Sequence, residues 1–275
     1  MINIKNFSKN YGKIEAVKDL NLEIKAGELV GFVGKNGAGK STTIRCMMNL
    51  ISPSKGTITI NGLDSIKDNK EIKKNISYIP SEPLFYNGIT AETLLKFACK
   101  FTDNDPSIIK KLADYFELDL SKKVNELSLG NRKKVALIQA FLKKPLVIIL
   151  DEPTSGLDPL MQTKFFELLL EYKSHGITIF LSSHNLAEIE KYCDKVAIIK
   201  QGQLVDYLDM KQVKFKHKQT MYLRLKDGSE INQEIDDDIN IIIKQLANQN
   251  IEHLEIKNKT VEDEFMGYYE GEQNV

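Results

Sequence analysis

The chain has 275 residues, 42% hydrophobic and 28% charged, which suits a globular protein with a sizeable core and leaves room for one large domain with a small companion. Lys plus Arg balance Asp plus Glu at 38 each, so no global basic excess points to nucleic acid, and none is expected as a partner. Cys46, Cys99 and Cys193 lack disulfide or metal spacing, the start Met1-Ile2-Asn3-Ile4-Lys5 lacks a signal-peptide layout, and no apolar run approaches bilayer length, so any membrane part is expected on another chain.

In chain order, Ile2 and Ile4 alternate with polar residues, Tyr11-Gly12 marks a turn, and Leu20, Leu22 and Ile24 alternate again. Ala26-Gly27-Glu28 turns the chain into the apolar strand Leu29-Val30-Gly31-Phe32-Val33. Next come Gly34-Lys35-Asn36-Gly37-Ala38-Gly39-Lys40-Ser41-Thr42 and an apolar helix from Thr43. A strand, a glycine-rich loop and a helix in that order form a phosphate cradle. Gly37 and Gly39 let backbone N–H groups converge, and the helix dipole adds positive charge there. Lys40 is placed to reach the β- and γ-phosphates, and the Ser41 hydroxyl to sit on Mg²⁺. Thr57 to Ile60 is a strand ending at the tight turn Asn61-Gly62. Antiparallel strands are thus expected around one parallel, phosphate-binding strand.

Ile76-Ser77-Tyr78-Ile79-Pro80 is the next buried strand. Thr90 to Lys100 and Pro106 to Phe116 then carry apolar residues at helical spacing, a helical insertion between core strands. Arg132 to Leu142 is helical, introduced by Leu127-Ser128-Leu129-Gly130-Asn131. The apolar run Leu146 to Leu150 ends on Asp151-Glu152, a buried parallel strand with carboxylates at its C-terminal end, where open α/β sheets bind ligands. Leu160 to Tyr172 is a helix, Ile177 to Leu181 a strand ending at Ser182-Ser183-His184, and 195–199 with 203–205 a hairpin around Gln201-Gly202. Asp151 is placed to hold the metal, and Glu152 to polarise a water for attack on the γ-phosphate. His184 at a strand end could hydrogen-bond that phosphate.

From about Asp209 the composition shifts. Lys211, Lys214, Lys216 and Lys218 read as a basic linker. Met221, Leu223 and Leu225 alternate, Ile239, Ile242, Ile243 and Leu246 lie on one helix face, and Leu254 and Ile256 sit in a second strand. Thr260-Val261-Glu262-Asp263 looks like a helix start, with Phe265 and Tyr269 one turn apart. The tail is expected to be a small α+β appendage without a catalytic constellation.

These motifs resemble those of the ATP-binding cassette (ABC) ATPases over roughly residues 1–208. Residues 34–42 match the Walker A motif, 146–151 Walker B with Glu152 at the catalytic glutamate, 155–158 the D-loop, His184 the switch histidine, and 127–131 the signature. The resemblance implies a P-loop NTPase (RecA-like) α/β core with an N-terminal antiparallel β subdomain, a helical insertion at about 82–127, and the appendage at 209–275. ATP and Mg²⁺ are the implied cofactors, and Tyr11 is the implied adenine-stacking aromatic. Gly34, Asn36, Gly37, Ala38, Gly39, Lys40, Ser41 and Thr42 would bind nucleotide, with Ser128 and Gly130 completing the site of a second, identical or different, ATPase subunit. Ser41, Asp151 and Ser81 are the implied metal set, and Glu152, His184 and Lys40 the catalytic one.

Three positions depart from the family pattern. In the signature, Leu129 stands where glycine is usual and Asn131 where glutamine is usual, and Leu129 would be strained if its position needed a positive φ. Ser81 stands where the glutamine after the strand is usual, with Glu82 as a substitute ligand. The implied function is the ATPase subunit of a transporter, cytoplasmic and peripheral at the inner face of the cell membrane. It would drive a separate permease through the helical insertion, and resembles most the drug, bacteriocin and peptide exporters. A soluble ABC ATPase of translation or DNA repair, or a weakly hydrolysing regulatory subunit, is the alternative.

Overall fold

The computed structural model describes residues 1–102, 104–215, 219–235, 239–247 and 249–258. The chain divides into two compact units, Met1–Tyr207 and Leu208–Val275.

The first unit opens with β1 (Ile2–Tyr11) and β2 (Ile14–Ile24), a hairpin that turns at Gly12, where φ is 59°. It continues with β3 (Leu29–Val33), α1 (Lys40–Met47), β4 (Lys55–Ile60), the two-residue β5 (Leu63–Asp64), α2 (Asn69–Asn75) and β6 (Ile76–Ile79). The helical insertion follows as α3 (Ala91–Cys99) and α4 (Ser107–Tyr115), then α5 (Leu129–Phe141) and β7 (Val147–Asp151). After these come α6 (Pro159–Ser174), β8 (Thr178–Ser183), α7 (Leu186–Tyr192), β9 (Lys195–Lys200) and β10 (Gln203–Asp209). Capping explains several of these boundaries. Thr90, Asp158 and Asn185 each accept a backbone N–H from the first turn of α3, α6 and α7, and Pro159 opens α6 where its missing N–H costs nothing.

Strands β2-β1-β4-β5 form an antiparallel sheet. The second sheet has the order β10-β9-β3-β8-β7-β6, and its pairings from β9 to β6 are parallel. Every residue of β3, β7 and β8 is buried, as expected of strands covered on both faces. One core cluster joins Ile4, Phe7, Leu22 and Ile58 of the antiparallel sheet, Ile44 and Met47 of α1, and Phe32, Ile149 and Phe180 of the parallel sheet. Phe32 and Phe180, on paired strands, have ring centroids 5.2 Å apart. The antiparallel strands are therefore a separate layer packed on the core, not strands inserted beside β3. The two-residue connection Gln201-Gly202, with φ of 48° and 83°, closes the β9–β10 hairpin as a type I′ turn.

In the second unit, α8 (Met210–Phe215) occupies part of the stretch that reads as a basic linker, so that expectation is corrected. Lys216 and Lys218 lie outside the described residues. Strand β11 (Gln219–Leu225) is central in the antiparallel order β12-β11-β13, with β12 (Glu230–Ile235) and β13 (Ile251–Asn258) at its sides. Helix α9 (Ile239–Leu246) packs Ile242 and Leu246 with Met221, Leu223 and Ile235. Strand β12 escapes the sequence pattern because Ile231 and Ile235 are its only apolar residues. The helix expected from Thr260, with Phe265 and Tyr269, lies outside the described residues.

Candidate functional site

The loop from Gly34 to Gly39 leaves the C-terminal end of β3 and enters α1. A Cβ at Gly34 would lie 2.4 Å from the Ile199 carbonyl oxygen, so only glycine fits there. Gly39 has φ of 110°, and a Cβ on it would meet the Ala16 carbonyl at 2.8 Å. Asn36 and Gly37 are exposed, whereas Ala38 is buried and anchored by the Gly202 N–H donating to its carbonyl at 3.0 Å. The loop is thus held from below by β2 and the β9–β10 turn, with its tip open.

Lys40 is only 5% exposed. Its Nζ donates to the Gly34 carbonyl at 2.6 Å and the Lys35 carbonyl at 3.4 Å, and lies 3.5 Å from Glu152 Oε1. Ser41 Oγ donates to Asp151 Oδ1 at 3.1 Å, while Thr42 is half-buried beside it. Strand order supplies the geometry. β8 lies between β3 and β7, and Ser182 of β8 pairs with Asp151 of β7. Ser182 Oγ donates to Asp151 Oδ1 at 2.7 Å and accepts the Glu152 N–H at 3.1 Å. Ser182 is fully buried and belongs to no motif; its one signal in the sequence is a pair of serines ending an otherwise apolar strand.

Glu152 has φ of 48°, a left-handed conformation uncommon for a non-glycine residue. That bend carries its side chain off the strand axis. Its Oε2 lies 2.6 Å from Nδ1 of His184, which donates because a carboxylate only accepts. His184 itself is 63% exposed. Lys40 and His184, remote in sequence, therefore converge on the Glu152 carboxylate.

The sequence model of the ABC transporter family matches residues 17–155. The chain belongs to the ABC transporter family. The bacitracin transport ATP-binding protein BcrA of Bacillus licheniformis is 37% identical over 231 residues, covering 82% of this chain and 76% of that protein. The ABC transporter ATP-binding protein YtrB of Bacillus subtilis (strain 168) is 30% identical over 257 residues, covering 93% and 83%. A solved ATP-binding subunit of an ABC transporter superposes with a TM-score of 0.72 at 32% identity, covering 78% of this chain and 92% of that one. The protein is an ATP-binding subunit of this family and an ATPase, with ATP and Mg²⁺ as its nucleotide and metal.

The residues present in this ABC ATPase fit those two groups. Gly34 and Gly39 let the loop lie close on its supporting backbone with Gly37 open at its tip, one ammonium lies at its base, and an alcohol and a carboxylate share a hydrogen bond beside it. Hard oxygen donors of that kind suit Mg²⁺. Ser81 reaches this region through its carbonyl, which accepts from Lys133 Nζ at 2.6 Å; no described partner engages its hydroxyl. Glu82 is exposed. Tyr11 ends β1, 46% exposed, with Lys9 Nζ 5.1 Å from its ring centre.

The signature departures take definite form. Leu129 is the first residue of α5 with helical backbone, so leucine is unstrained there, and it projects an apolar side chain that is 50% exposed. Ser128 caps α5, its Oγ accepting the Asn131 N–H at 3.3 Å. Gly130 is required by a neighbour, since a Cβ there would stand 2.6 Å from the Gly156 carbonyl oxygen. Buried Glu188 of α7 accepts from Thr154 Oγ1 at 3.1 Å and from Ser183 Oγ, at the end of β8, at 3.2 Å. Burial pushes its carboxyl above the ordinary value, and the two hydroxyls offset this in part. Among the described residues, no helix is long and apolar enough to cross a membrane.

Proposed function

We propose that this ABC ATPase powers a separate membrane permease that exports a drug or peptide, working as a dimer at the inner face of the cell membrane. The supporting observation is an apolar groove of about 560 Å³ on the helical insertion, lined in part by Tyr86, Leu94, Phe97 and Phe101. Tyr86, Phe97 and Phe101 are 83%, 59% and 70% exposed, and neighbouring Leu84 is 90% exposed. Large apolar side chains clustered on a surface mark an interaction site. A permease segment is the occupant that fits a transporter's ATPase. The export class rests on the likeness to the bacitracin transport protein.

In the proposed reaction, Ser41 and Asp151 would hold Mg²⁺, which would supply charge neutralisation at the phosphates. The loop N–H groups and Lys40 bind and orient the triphosphate, and Lys40 exchanges its longer contacts, to the Lys35 carbonyl and Glu152, for phosphate oxygens. Glu152 accepts a proton from the attacking water as the bond to the γ-phosphorus forms and the β–γ bridge breaks. His184 holds the Glu152 carboxylate and presents its ring to the γ-phosphate. Tyr11 stacks on the adenine. Exposed Ser128 and the Gly130 N–H, at the N-terminus of α5, contact the nucleotide of the second subunit. Affinity purification from detergent-solubilised membranes tests the assignment. A multi-span protein is expected to co-purify. Sedimentation with ribosomes, and never with membranes, would refute it.

A further inference from the structure

Lys133 is 1% exposed, on the fifth position of α5, and no step above uses it. Its ammonium donates to three backbone carbonyls: Ser81 at 2.6 Å, Glu152 at 3.1 Å and Pro80 at 3.3 Å. All three of its N–H donors are thereby used. A buried ammonium costs several kcal/mol unless its bonds are satisfied, so an apolar side chain would be the cheaper filler of this space. The carbonyls come from two segments. Strands β6 and β7 are parallel neighbours, with Ile79 opposite Leu150, so the turn at 80–81 and residue 152 emerge side by side. Lys133 clamps them to each other and to α5.

The clamp acts on a strained residue. Glu152 holds a left-handed φ of 48°, a conformation that disfavours a side chain. Its N–H is fixed by the carbonyl and hydroxyl of Ser182 at 3.2 and 3.1 Å, and its carbonyl by Lys133. With both sides of the residue fixed, the carboxylate direction toward Lys40 and His184 is set. Just beyond Ser81 the chain runs into the exposed Leu84 and Tyr86.

We propose that Lys133 is a positioning residue for hydrolysis, holding the Glu152 backbone in its productive conformation and tying it to the 80–81 turn. The proposal rests on the reading of Glu152 as the residue that activates water. Steady-state ATPase assays and fluorescent-ATP titrations on the full chain compare wild type with Lys133→Met, Lys133→Gln and Glu152→Gln. Methionine keeps the volume and removes every donor, whereas glutamine keeps two. Lys133→Met is expected to lower kcat at least tenfold with nucleotide affinity changed less than threefold, because displacing a catalytic group by an ångström can cost about a hundredfold. Lys133→Gln is expected to fall between it and wild type. If Lys133→Met does not fold, the glutamine variant decides: it must lose kcat several-fold at unchanged affinity. Wild-type kcat in the glutamine variant, or parallel loss of affinity, kcat and thermal stability in both, overturns the proposal. If Glu152→Gln keeps full turnover, the reading of the site fails. If that variant is inactive while both Lys133 variants are fully active, only the role of Lys133 fails.

Discussion

Ser182→Ala removes one buried oxygen that serves two site residues. The hydroxyl donates to Asp151 Oδ1 at 2.7 Å, a hydrogen bond to a charged acceptor, and such bonds contribute about 1.5–3 kcal/mol. The same oxygen accepts the Glu152 N–H at 3.1 Å, but that donor retains the Ser182 carbonyl at 3.2 Å, so little is added by its loss. Asp151 keeps its bond from Ser41 at 3.1 Å. The expected loss in folding stability is therefore about 2 kcal/mol, read from urea denaturation as a lower midpoint with the slope unchanged. The Asp151 carboxylate, freed on one side, also loses part of its fixed orientation. If the whole of that energy appears in the transition state, kcat falls about 30-fold. The assay is ATP turnover at saturating Mg²⁺-ATP beside the denaturation curve. A variant within 0.5 kcal/mol of wild type in stability and within about twofold in kcat would refute the view that Ser182 organises the two acids.

Gly34→Ala should destabilise by about 1–3 kcal/mol and abolish ATP binding, since the added methyl meets a backbone oxygen at 2.4 Å and cannot be relieved by a rotamer; calorimetric titration with ATP checks it. Glu188→Gln tests the buried carboxyl. Its pKa is raised in the folded state, so the stability it contributes is complete below the ordinary 4.5 and is lost as pH rises through the raised value. The glutamine variant is thus expected to match or exceed wild-type thermal stability at pH 8, the gap narrowing toward pH 5; a wild type that gains on the variant as pH rises contradicts this. Phe101→Asp, on the exposed groove, should leave ATP affinity unchanged while abolishing co-purification of a membrane partner, and retained co-purification would place the partner elsewhere.

The Walker-type loop and the Asp151-Glu152 pair were legible because each sits where a strong local pattern stops. An apolar strand ends, and the next residues break its rule, as glycines in one case and as acids in the other. The helices α3 and α4 were equally plain, since Leu95, Ile109 and Leu112 repeat at helical spacing and are buried. Short elements with few apolar residues were not legible. Helix α7 spans seven residues, and β12 carries two isoleucines, so packing rather than propensity decides them.

By itself the sequence determined which chemistry this ABC ATPase can perform, because lysine, hydroxyl, carboxylate and imidazole are fixed by residue type, and the loop before Lys40 by its glycines. Only the tertiary structure decided that Leu129 is helical and unstrained, that the Ser81 carbonyl accepts from Lys133, and that Ser182 and Lys133 hydrogen-bond to the acid pair. The reason is strand order. Placing β8 between β3 and β7, and β6 beside β7, brings residues 30 to 110 positions apart into hydrogen-bond contact, and no local pattern in a chain encodes which parallel strands are neighbours.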